Sequence, residues 1–148
     1  MSKFVLSHRS NDRLVGVHPR LVRVVRKAIT LTEVDFAVLE GVRDERRQAM
    51  LVEVGASWTM NSRHLTGHAV DLGAWVDGRI AWDWPLYFKI AEAMRHASKW
   101  CQVTIEWGGD WPPPRSDGPH FQLPWREYPA IMDSDQDAET DLVQPEAA

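Results

Sequence analysis

From His68 to Val76 the chain alternates, with Val70, Leu72, Ala74 and Val76 on one side and Asp71, Gly73 and Trp75 on the other. A period of two residues makes a strand that buries one face and leaves the other polar. Asp77-Gly78 follows directly. Both residues tolerate the positive φ that a tight two-residue hairpin needs, so Arg79–Trp82 is the expected return strand. Phe36–Leu39, the alternating Val103, Ile105 and Trp107, and His120–Leu123 read as further strands. Helical patterns surround them. Pro19 suits the first turn of a helix reaching about Thr30, in which Leu21, Val22, Val25 and Ala28 recur at helical spacing. Residues 44–54 read as a second helix, stopped by Gly55. Residues 84–99 read as a third, with Trp84, Phe88, Ala91 and Met94 on one side. Residues 1–18 read as a lead-in. The expected fold is α+β, a single domain with a small antiparallel sheet flanked by helices.

A chain of 148 residues suits one such domain with a real hydrophobic core. Most of the eight tryptophans are expected in that core, and some could line a groove for a sugar or peptide. The six acidic residues beyond Ile131 outweigh the formal net charge of -4, so the body of the chain is mildly basic. The boundaries that follow are a domain over 1–131 and an acidic, disordered tail over 132–148. A basic cluster at residues 20–27 could draw an anionic cell wall or nucleic acid. A solvated helix face is the simpler account of it, and no nucleic-acid partner is expected. No stretch reaches the roughly 18 apolar residues of a membrane span. The N-terminus lacks the apolar core of a signal peptide, so synthesis as a soluble cytoplasmic chain is expected. The expected state is a monomer.

Cys101 is the only cysteine, which excludes an intramolecular disulfide and a cysteine-rich zinc site. A transition-metal site would have to use His and carboxylates. His8, His18 and His96 read as ordinary polar histidines, leaving His64, His68, Asp71 and His120. His64 and His68 have the spacing of a helical pair, but Gly67 and the strand that follows argue against a helix. A turn at Thr66-Gly67 could instead bring His64 beside Asp71. Asp71 and His120 each lie opposite the apolar residues of their strands, so adjacent strands could aim both into one polar cleft. Spacing alone does not decide among these arrangements.

Residues 62–71, SRHLTGHAVD, resemble the SxHxxGxAxD motif of the M15 zinc peptidases, which cut D-Ala-D-Ala or L-Ala-D-Glu bonds. Residues 117–122, DGPHFQ, resemble that family's second motif, and residues 40–43, EGVR, its upstream arginine segment. The likeness runs from about Leu14 to Tyr128 and is greatest to the phage endolysin branch. It implies the hedgehog/D-Ala-D-Ala-peptidase-like fold and zinc held by His64, Asp71 and His120. It also implies Asp117 as general acid and base, and Arg43 near the scissile carbonyl. Ser62 would support the loop or bind substrate. His68 stands at a variable motif position, outside the metal shell, and is expected to face the cleft and contact substrate. Glu106 is a rival base. Trp107 and Trp111 could wall the cleft or pack in the core, and Arg63 reads as a surface charge. The implied activity is hydrolysis of the L-alanyl–D-glutamate bond of bacterial peptidoglycan, by a protein made in the host cytoplasm that acts on the cell wall after release. The alternatives are a D-Ala-D-Ala carboxypeptidase or dipeptidase, and a non-catalytic zinc-containing wall-binding protein.

Overall fold

The computed structural model describes residues 4–129. The acidic tail and the 131/132 boundary lie outside the described residues. The elements run α1 (His8–Arg13), α2 (Pro19–Ala28), β1 (Phe36–Glu40), α3 (Glu45–Glu53), β2 (Ala69–Val76), β3 (Arg79–Ala81), α4 (Trp84–Cys101), β4 (Glu106–Trp107) and β5 (His120–Gln122). Short 3-10 turns, Arg63–Thr66 and Gly108–Asp110, precede β2 and follow β4. The sheet is antiparallel in the order β1-β2-β5-β4, with β3 returning along β2 through the Asp77-Gly78 turn. Both turn residues take positive φ, 52° and 83°, as a two-residue hairpin requires.

Period two sorts the sheet into an apolar and a polar face. Val70, Leu72 and Ala74 of β2 and Phe121 of β5 join one core with Leu21, Val24 and Val25 of α2 and Ile90, Met94 and Ala97 of α4. Val24 takes the buried place that the helical reading assigned to Val22, which is only half-buried. Asp71, His120 and Gln122 point to the other face, where register sets Asp71 opposite His120.

Three local expectations need correction. Residues 8–13 form a helix inside the lead-in, begun by Ser7, whose hydroxyl accepts from the Ser10 N–H at 3.0 Å. It is short and polar, so it has no apolar period to read, and it is held by Ser10 Oγ accepting from Val38 N at 2.9 Å. The core face of α4 is Tyr87, Ile90, Ala91, Met94 and Ala97, rotated from the expected one. Trp84 and Phe88 remain 44% and 55% exposed and lean on Trp107. The strand expected over Val103–Trp107 shortens to Glu106–Trp107. Gln102 ends α4 in the left-handed region at φ 58°, and Val103 turns back to bond Ser98 instead of pairing.

Candidate metal and catalytic site

The segment entering β2 sets the first ligand. Ser62 Oγ accepts from His64 N at 3.1 Å and starts a single 3-10 turn. Gly67 closes that turn at φ 78°, and a Cβ there would lie 2.6 Å from the Gly16 carbonyl oxygen, so only glycine fits. The reversal folds His64 back over Asp71. Asp71 Oδ1 is 3.2 Å from His64 Nε2 and 3.2 Å from His120 Nδ1. One ligand atom from each of the three residues lies within 4.8 Å of the others.

The far side of each imidazole is already committed. His64 Nδ1 is 2.8 Å from the Gly41 carbonyl, which can only accept, so Nδ1 carries the proton. His120 Nε2 is 2.7 Å from Gln122 Oε1, while Gln122 Nε2 donates to Glu106 Oε1 at 2.9 Å. That chain fixes the amide and makes His120 Nε2 the donor. In the neutral rings, His64 Nε2 and His120 Nδ1 therefore present lone pairs toward a carboxylate. Three acceptors facing one another repel unless a cation stands among them, and two imidazoles with one carboxylate are a donor set that suits zinc. Protons respond to the same field. Burial works against the Asp71 anion, but the charges and hydrogen bonds of His64 and His120 outweigh it and hold the carboxyl well below the usual range. Burial likewise lowers His120, yet its bond to Asp71 and that residue's charge raise it overall.

This group lies on the floor of an open cleft of about 880 Å³ between α3 with its following loop and the 111–117 loop. Asp117 opens into the cleft. Partial burial, then the Asp71 charge, push its carboxyl above the ordinary value against the pull of His120, His64 and Arg43. Arg43 is buried and heavily engaged. Its Nε and Nη2 hold Glu40 at 3.0 and 2.8 Å, and Nη1 donates to Gln48 at 2.8 Å. Nη2 also lies 3.6 Å from Asp71 Oδ2. Burial opposes the Glu40 charge, but Arg43 and Arg47 together lower its pKa. Trp111 lines the cleft 5.1 Å from the His120 ring, whereas Trp107 is buried in the core.

The structure brings together His64, Asp71, His120, Asp117, Arg43 and Ser62, and sets His68 apart. His68 is buried, 2.7 Å from Thr66 Oγ1 and beside His18, and does not line the cleft. Its expected substrate contact is corrected accordingly, because the turn at Gly67 sends the ring inward. Burial, then Arg63, lowers its pKa to about 3. Arg63 is not a surface charge. It is 2% exposed and donates to the carbonyls of Leu123, Pro124 and Tyr128, at 2.8, 3.3 and 2.7 Å from Nη2. Glu106 stands behind Gln122 and outside the cleft lining. The resemblance implies no role for Glu40, Gln48 or Gln122, although Glu40 and Gln122 stand inside the segments EGVR and DGPHFQ that carry it, and Gln122 shares the polar face of its strand with His120. Gln48 has no such signal in the sequence.

A profile of the phage L-alanyl-D-glutamate peptidase family matches residues 1–123. The chain is 30% identical over 112 residues to the L-alanyl-D-glutamate peptidase of Escherichia phage T5, covering 73% of this chain and 82% of that protein. It is 34% identical over 95 residues to the L-alanyl-D-glutamate peptidase of Listeria phage A118, covering 64% of this chain and 32% of that longer relative. Among solved structures, the L-Ala D-Glu endopeptidase ChiX of Serratia marcescens superposes with a TM-score of 0.80 at 48% identity, covering 86% of this chain and 96% of that one.

Proposed function

The chain belongs to the phage L-alanyl-D-glutamate peptidase family, and from that premise we propose a zinc-dependent endolysin that cuts the L-alanyl–D-glutamate bond of the peptidoglycan stem. The observation that carries the zinc is the meeting of two imidazole lone pairs and a carboxylate at the cleft floor, with the far nitrogens of both rings engaged as donors. Bound there by His64, Asp71 and His120, zinc supplies Lewis acidity and a water of lowered pKa.

The chain's own groups do the rest. Asp117, with its carboxyl raised above the ordinary value, takes a proton from the attacking water and passes it to the leaving amine. Arg43, fixed by Glu40 and Gln48, adds positive charge beside the site as the carbonyl oxygen becomes anionic. Ser62 holds the turn that carries His64 and borders the cleft. One copy supplies every one of these residues, which supports a monomeric enzyme. Peptidoglycan is the partner, reached after release from the host cytoplasm. Among the described residues no helix is long and apolar enough to cross a membrane.

The test is mass spectrometry of purified peptidoglycan digested with and without a chelator. New N-terminal D-glutamate, lost on chelation and restored by zinc, is the expected result. Release of D-alanine points instead to a carboxypeptidase, and bound zinc without cleavage to a wall-binding protein.

A further inference from the structure

Four arginines line the cleft: Arg43, Arg47, Arg63 and Arg115. Three have anionic or carbonyl partners. Arg43 grips Glu40, Arg47 Nε donates to the same carboxylate at 2.9 Å, and Arg63 holds the carbonyls beyond β5. The Arg115 guanidinium has no carboxylate or carbonyl partner among the described residues. It lies instead 5.4 Å from the centre of the Trp58 ring, within the range of a cation–π contact. The Arg115 backbone N–H closes a turn onto Pro112 O at 2.9 Å, two residues before Asp117. A guanidinium held against an indole keeps its N–H donors available to a ligand.

We propose that Arg115, seated on Trp58, is an anion subsite that reads the free α-carboxylate of the stem's D-glutamate. The inference rests on the peptidase reading above. In the stem peptide D-glutamate continues through its γ-carboxyl. Its α-carboxylate is therefore free, on the carbon that bears the scissile nitrogen. Glu40 is matched by Arg43 and Arg47 and Asp71 by the metal it would hold, so Asp117, which has no ion-pair partner among the described residues, is the carboxylate bordering the cleft that opposes the approach of such an anion. A cation not already paired within the protein offsets that repulsion and orients the amide, and Arg115 is the cleft arginine in that condition. A bidentate guanidinium–carboxylate pair also discriminates against the amide, which offers one acceptor and no charge.

Two synthetic stem peptides, L-alanyl-γ-D-glutamyl-L-lysine and its D-isoglutamine form, test this with the full-length zinc-loaded protein. Wild type should cleave the carboxylate peptide with kcat/KM higher by on the order of tenfold or more. R115Q should bring the ratio close to one, R115K should restore part of it, and R47Q should leave it standing. Equal wild-type rates on both peptides, a ratio that survives R115Q, or one that collapses in R47Q would each overturn the subsite while leaving the peptidase intact. Failure of wild type to cleave either peptide overturns the peptidase reading, and this inference with it.

Discussion

At the scale of single residues, Asp117 and Gln122 separate chemistry from metal holding. Asp117 opens into the cleft and is not one of the three grouped ligands. Asp117→Ala should therefore keep stoichiometric zinc by elemental analysis while peptide cleavage falls by about 10²–10⁴-fold, the usual share of a general acid and base. Retained wild-type rates would remove Asp117 from the mechanism. Gln122 acts from behind, because its amide accepts from His120 Nε2 and is itself turned by Glu106. Gln122→Leu should weaken zinc binding by about 10–100-fold in a chelator competition, with the fold preserved. Unchanged affinity would mean that the carbonyl does not set the His120 tautomer.

Among the elements, the segment after β5 depends most on one side chain. Residues 123–128 leave the sheet, so their carbonyls lack strand partners, and Arg63 satisfies three of them from beneath. Burial costs this guanidinium enough to lower its pKa to about 10, so its charge is retained at neutral pH. Arg63→Met should destabilise the protein by about 2–4 kcal/mol in urea titration, since three buried carbonyls lose a charged donor. A change below about 0.5 kcal/mol would show that water replaces the guanidinium without loss. Arg63 also adjoins His64 in the same 3-10 turn. The element that presents the first ligand is thus tied to the chain leaving the strand that presents His120.

For the molecule as a whole, acid stability should report the inward histidine. His68 has its pKa lowered from 6.5 to about 3, first by burial and then by Arg63. Between those values the unfolded chain binds a proton that the folded chain refuses, so stability is greatest above pH 6.5 and falls as pH drops toward 3. The slope from this one group approaches about 1.4 kcal/mol per pH unit within that window. His68→Gln should therefore flatten the decline of the urea midpoint between pH 6.5 and 4.5 relative to wild type. Parallel curves would show that His68 is accessible to protons in the folded state.

Period and turn chemistry determined much of this protein before any tertiary contact formed. The alternation of β2, the Asp-Gly hairpin and Pro19 at the start of α2 are local signals, and each element stands where they put it. The likeness of residues 62–71 and 117–122 to a zinc peptidase family named the three residues that the fold gathers. What lay beyond the sequence was direction and partnership. Whether His68 turned toward the cleft or the interior depended on Gly67 and its contact with Gly16, over 50 residues away in the chain. Arg63 looked like a solvated charge because the carbonyls that require it follow β5, some 60 residues later. Arg43 reaches Glu40 and Gln48 within its own stretch of chain, but it comes beside Asp71 only when β1 pairs with β2. Local sequence sets backbone conformation through short-range sterics and hydrophobic period, whereas a buried polar group takes its role from whichever distant partner satisfies it, and only the folded chain supplies that partner.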